Sequence, residues 1–165
     1  MKREMDEVGL LVCDRQGRIF EQAVTREECS SNIFIRRFMN SKFVSRMDNL
    51  TFINESMTIE EIFEELDIEY GKTNYGKIKF SINEMYWIGY IYRYLSYVYQ
   101  IDSKNAYKII KGTELRHLFF AYHSLDPMNA IDRILEAKSL VLDKDSDQLT
   151  KEGVKILRRI KRLKN

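Results

Sequence analysis

Two histidines occur in the whole chain, His117 and His123, both inside the stretch Arg116-His117-Leu118-Phe119-Phe120-Ala121-Tyr122-His123. An imidazole titrates near neutral pH while an arginine stays charged, so Arg116 with His123 could act as an acid and base pair if His123 opens into a cleft. The competing reading is a hydrogen-bonded histidine at a helix end. Other chemistries find less material. No cysteine and histidine cluster has metal-ligand spacing, and there is no glycine-rich phosphate loop, serine nucleophile motif or paired-carboxylate signature. The residues therefore point to no metal and no cofactor.

Charge offers binding rather than catalysis. The net charge of +2 conceals two opposite segments. Glu55, Glu60, Glu61, Glu64, Glu65, Asp67 and Glu69 fall between positions 55 and 69 without a single Lys or Arg. On a helix, Glu60, Glu61, Glu64 and Glu65 could dock onto a basic groove of a partner, where complementary charge speeds encounter and excludes wrong partners. They could equally keep a surface helix soluble. From Lys151 to Asn165 the balance reverses, seven cations standing against Glu152. Lys155, Arg158, Arg159 and Arg162 could track phosphates, as on operator DNA, or form a solvated face over an apolar stripe. Trp and Phe are absent from that stripe, which weakens a membrane-surface reading.

These groups need elements to position them. Residues 81 to 101 hold six of the ten tyrosines and the only tryptophan. Met85, Ile88, Tyr92, Leu95 and Tyr99 form one stripe at helical spacing, with Trp87, Ile91, Tyr94 and Val98 beside it. A helix apolar on most of its circumference is buried on several sides. Ser81 with Glu84 is a capping-box signature for its start, and Gly89 marks a close backbone approach. Arg93 interrupts the aromatic surface beside Tyr86, Tyr90 and Tyr97. It either stacks on those rings at the helix edge or forms a partner-binding surface with Tyr90, Tyr97 and the His123 turn.

Elsewhere, Val8 to Cys13 and Arg18 to Val24 are short β-prone runs around Asp14-Arg15-Gln16-Gly17, which predicts a β-hairpin. Ser30 or Ser31 caps a helix with Ile33, Phe34 and Phe38, broken near Asn40 and Ser41 before Phe43, Val44 and Met47. Thr58 with Glu61 is a second capping box, opening a helix through Ile59, Ile62, Phe63 and Leu66. Residues 68 to 79 read as a polar loop. A short helix from Asp102 or Ser103 stops at Gly112, Thr113 starts the next, and Asp126-Pro127 opens another. Ile156, Leu157, Ile160 and Leu163 line a terminal helix.

The expected fold class is mainly α, in the α+β sense: a single helical domain around the aromatic helix with a small N-terminal hairpin. Residues 1–142 form the globular part, and 143–165 a basic amphipathic helix belonging to the same domain. With 165 residues one core is expected. No 20-residue apolar run could span a bilayer, and the charged first seven residues are not followed by a signal-peptide pattern, so a cytoplasmic location is expected. Cys13 and Cys29 are expected as reduced thiols.

Three resemblances bear on function. The Arg116 to His123 spacing resembles the short Arg and His motif of HEPN ribonucleases, which implies metal-free RNA cleavage. Lys104 to Ala121 resembles a helix-turn-helix, but Lys108 stands where a small residue lets the two helices touch. The string Met85-Tyr86-Trp87-Ile88-Gly89-Tyr90-Ile91-Tyr92-Arg93-Tyr94, with Ser103 to Lys111 and Tyr122-His123-Ser124-Leu125-Asp126-Pro127, resembles a family of small bacterial antitoxins linked to ADP-ribosyltransferase-like toxins. The similarity runs from near Gly9 to about Leu135. It implies a non-enzymatic protein that neutralises a cognate toxin by direct contact, and it leaves a homo-oligomer open.

Overall fold

The Asp6 carboxylate accepts a hydrogen bond from the Gly9 backbone N–H at 2.8 Å, capping a first helix that runs unbroken to Arg26. In this computed structural model, which describes residues 2–51, 56–144 and 151–164, nine helices follow in chain order: α1 (Glu7–Arg26), α2 (Ser31–Met39), α3 (Lys42–Asp48), α4 (Ile59–Tyr70), α5 (Ile82–Tyr99), α6 (Ser103–Ile109), α7 (Gly112–Tyr122), α8 (Pro127–Lys144) and α9 (Lys151–Lys164). There is no strand among the described residues. Glu55 of the acidic run, the 145–150 stretch of the expected terminal segment and Asn165 lie outside them.

The predicted β-hairpin is therefore overturned. Both of its strands and its turn lie within α1. The buried positions Gly9, Val12, Cys13, Gln16, Gly17, Ile19, Phe20 and Ala23 follow the helical period, and Asp14 pairs with Arg18 one turn on at 2.8 Å. Two short apolar runs with β-branched residues cannot be told from one helix face by composition. Gly17 is not a turn residue. It gives room for the Tyr86 ring, which would lie 2.8 Å from an added Cβ.

The α1 and α5 pair is the centre of the fold. Both faces of α5 are buried, from Ile91 to Tyr99 without interruption. Around this pair, α6, α7 and α8 pack on α5, while α2 bridges α1, α4 and α6. A cluster of phenylalanines binds the α1, α2 and α4 corner: Phe20 meets Phe34 and Phe38 edge-on at 5.3 and 5.0 Å, and Phe34 stacks on Phe63 at 5.8 Å. On the other side Trp87 meets Phe119 edge-on.

Both capping boxes exist, Thr58 with Glu61 and Ser81 with Glu84. Asp126 caps the N–H of Met128 where Pro127 opens α8. The loop before α5 is tied to the start of α2, since Ser30 N–H donates to Tyr75 O, Ser31 N–H to Ile78 O, and Phe80 N–H to Ser31 Oγ. Gly112 does not terminate α6 but begins α7, buried against Ile35. The terminal helix α9 buries Leu157 and Ile160 and rests on α6 and α8, so it packs on the globular part.

Cys13 and Cys29 are free and buried. Burial pushes the Cys13 thiol up to about 12 and raises Cys29 as well. The thiolate is the nucleophile, so both thiols should resist iodoacetamide at neutral pH and react only as the chain unfolds. Labelling followed by mass spectrometry across a urea series checks this. Fast labelling without denaturant would contradict the packing of α1.

Candidate functional site

The end of α1 and the outer face of α4 enclose a cleft of about 300 Å³. The Thr58 capping box sets the first turn of α4, so that Ile62, Phe63 and Leu66 turn inward and Glu60 and Glu64 outward. Arg26, Glu27 and Glu28 form one wall, and Glu60, Phe63, Glu64 and Asp67 the other; Lys72 and Thr73 close the end. Five carboxylates thus face two cations. Arg26 pairs with Glu60 at 2.5 Å and places its guanidinium 5.6 Å from the centre of the Phe63 ring. A bond to its own backbone N–H, and then the Arg26 guanidinium, hold the Glu60 carboxyl below its ordinary range. Glu27 goes the other way: burial, then the charge of Asp67, raises it.

Of the four predicted glutamates, Glu60 and Glu64 line this cleft. Glu61 is used by the capping box, accepting from the Thr58 N–H at 2.7 Å, and Glu65 pairs with Arg46 at 2.7 Å.

Arg93 does not sit on a tyrosine surface. It is 2% exposed, and its guanidinium is shared among three helices besides its own. Nε donates to Gln16 Oε1 at 2.9 Å, Nη1 to Asp48 Oδ1 at 2.8 Å, and Nη2 to Ser103 Oγ at 2.8 Å. Ser103 in turn donates to both Asp48 oxygens through its hydroxyl and its backbone N–H, and Gln16 Nε2 donates to Gly89 O. The result is a closed polar network linking α1, α3, α5 and α6. Tyr97 is buried with its hydroxyl on Asp6 at 2.7 Å; burial first, and then that bond, raise its phenol. Tyr90 is half-buried in a row with Tyr86 and Tyr94, ring centres 6.0 and 6.2 Å apart.

Arg116 and His123 stand two turns apart along α7, about 10 Å at 1.5 Å per residue. Arg116 is held by Glu84 at 3.1 Å and lies over the Phe80 ring. His123 is exposed, its ring stacked on Phe119 at 4.4 Å and its Nδ1 2.7 Å from Phe119 O. A carbonyl can only accept, so Nδ1 carries the proton in this contact. The pair is divided between two environments, with His123 at the helix end rather than in a cleft.

No family model, curated protein or solved structure matches the chain.

Lys155, Arg158, Arg159 and Arg162 are exposed on α9, directed away from the buried Leu157 and Ile160. Among the described residues no three His, Cys, Asp or Glu side chains come together as a metal site, and no helix is long and apolar enough to cross a membrane.

Sequence reasoning missed Glu27, Glu28 and Asp67 as members of the acidic cleft, and Gln16, Asp48 and Ser103 as partners of Arg93. For the first group a signal existed. Glu27-Glu28 directly follows the end of α1, and once that segment is read as one long helix the two carboxylates extend the acidic pole of α4. For the second group there was none, because Arg93 and its partners are 10 to 77 residues apart in the chain.

Proposed function

We propose that this protein acts by binding another protein, as an antitoxin-like partner that neutralises a toxin by direct contact, and that the acidic cleft between α1 and α4 receives a basic segment of that partner. The cleft carries this reading: carboxylates of Glu27, Glu28, Glu60, Glu64 and Asp67 outnumber the cations, and Phe63 supplies an aromatic floor for the stem of a lysine or arginine. Glu27 is raised by burial first and then by the charge of Asp67 across the cleft. The resemblance of residues 85–94 and 122–127 to antitoxins names the class of partner.

The test is co-expression with the product of the adjacent gene, scored by pull-down and by rescue of growth. Glu60→Lys with Glu64→Lys should weaken the complex by at least ~10-fold, mainly through slower association at low salt. Arg158→Glu with Arg159→Glu on α9 should leave it intact. A cation in the cleft favours ionised Glu27, whose carboxyl lies above its ordinary 4.5. The complex should therefore tighten as pH rises through that raised value and change little beyond it. A complex indifferent to the α4 reversal would remove the cleft from the interface; no complex and no rescue would remove the antitoxin reading.

A further inference from the structure

Leu157 and Ile160 of α9 are each 2% exposed and turn onto the globular part, where α9 packs on α6 and α8. At about 3.6 residues per turn this leaves Lys155, Arg158, Arg159 and Arg162, all exposed, together on the opposite side of the helix. No Asp or Glu occurs from Gly153 to Lys164. Elsewhere in the fold arginines are spent: Arg18, Arg26, Arg46, Arg93 and Arg116 each pair with a carboxylate. Among the described residues the four cations of α9 have no such partner. The neighbouring α6 adds Lys104, Lys108 and Lys111 at one-turn spacing, on the side away from its buried Ala106 and Ile109. The acids beside them are in use, Asp102 capping α6 and Glu114 pairing with Lys138. On α8 the exposed Arg133 and Glu136 cancel. Burial lowers the Lys111 ammonium first; Glu114 opposes this, and the nearby charges of Lys108 and Lys138 add to it. The surface is therefore positive without compensation.

Such a surface fits a polyanion, and three observations select which. The apolar stripe of α9 is already buried, whereas a helix that binds a bilayer lays that stripe into the lipid. No aromatic residue occurs in α9, so unpaired bases find no ring to stack on, the contact that holds single strands. Lysine and arginine offer donors alone, while the 2′-hydroxyls by which RNA duplexes are recognised present a donor and an acceptor each. The phosphate backbone of duplex DNA needs only cations. Lys155 and Arg162 are ~10 Å apart along the axis, about three steps of one DNA strand. We infer that the outer face of α9 binds duplex DNA through its phosphates, with Lys155, Arg158, Arg159 and Arg162 as the contacts and the lysines of α6 beside them. Phosphate contacts carry no sequence information, so the binding is independent of sequence. This face contains no residue of the acidic cleft and does not rest on the toxin-binding reading.

The experiment is fluorescence anisotropy of the whole chain with two labelled 20-base-pair DNA duplexes of unrelated sequence. The other arms are single-stranded DNA, an RNA duplex and phosphatidylserine vesicles. Both DNA duplexes should bind alike, with a dissociation constant on the order of 10 μM at ~50 mM salt, and lose ~100-fold by ~200 mM, as four phosphate contacts require. Arg158→Gln with Arg159→Gln should remove about half of that logarithmic salt slope. Lys155→Gln with Arg162→Gln should do the same, and neither pair should move the melting temperature, because all four side chains are exposed. Arg18→Gln with Lys77→Gln removes two exposed charges elsewhere and should leave binding within ~2-fold, which separates this face from net charge. The proposal is overturned if no duplex binds at ~50 mM salt with protein up to ~1 mM, or if both α9 pairs bind as the parent does. Tighter binding of the single strand, the RNA duplex or the vesicles would overturn it equally, by giving the face to another polyanion.

Discussion

Arg93→Ala is expected to lower the stability of the fold by about 3 to 5 kcal/mol, the usual range when one partner of a buried ion pair is removed. Asp48, whose side chain is 10% exposed, would lose its counter-ion, and the Gln16 side-chain oxygen and Ser103 hydroxyl would lose a donor. A cavity the size of the side chain adds to the loss. Against a total stability of about 5 to 15 kcal/mol for a domain, that approaches unfolding. Arg93→Lys should recover only part, since one ammonium cannot reach three partners held by a planar fork. The informative variant is Arg93→Met with Asp48→Leu. Removing both charges for apolar groups of similar size should be much less damaging than either single change. Urea unfolding of the four proteins reads this directly. Equal stability for Arg93→Ala and the parent would mean that the network does not hold the four helices together.

Gly89→Ala is expected to destabilise by about 2 kcal/mol or more, although alanine gains roughly 1 kcal/mol over glycine inside a helix. The sign is decided by what an added Cβ would meet. Phe20 Cγ would lie at 2.7 Å, Gln16 O at 2.8 Å and Phe20 Cβ at 2.9 Å. A ring at a surface can turn aside, but Gln16 O is backbone of α1, and α1 itself must retreat. That displacement also pulls Gln16 away from Gly89 O, to which its amide donates at 3.0 Å, and so strains the Arg93 network from its far end. A lower urea midpoint is the expected reading; an unchanged or higher midpoint would show that α1 and α5 are less closely apposed than described.

Local signals in the sequence located elements where a side chain reports on its own neighbourhood. Thr58 with Glu61, Ser81 with Glu84, and Asp126 before Pro127 each concern atoms within one turn, and each is found in place. The two apolar stripes of residues 85–99 likewise follow from a period that burial on all sides preserves. The failures share a cause of the opposite kind. Gly17 and Gly112 were read as turn and terminus from conformational habit, yet both are small because Tyr86 and Ile35, distant in the chain, press on them. The same applies to Arg93. Its neighbours along α5 are tyrosines, which suggested a surface, while its hydrogen-bonding partners come from α1, α3 and α6. The acidic face of α4 was legible from composition; that α1 ends beside it, and makes a cleft of it, depended on reading 8–24 as one helix.

The pairing of α1 with α5 also sets a schedule for synthesis. The end of α1 at Arg26 and the end of α5 at Tyr99 are separated by 73 residues of chain. At roughly 5 to 20 residues per second, α1 is made some ~4 to 15 s before its partner is complete. In that interval the face of α1 that packs on α5 lacks its partner, although Phe20 can already meet the Phe34 and Phe38 rings of α2. A nascent chain stalled before residue 99 is thus a natural client for holding factors, and a message broken in the same region yields a fragment destined for degradation rather than a smaller working domain.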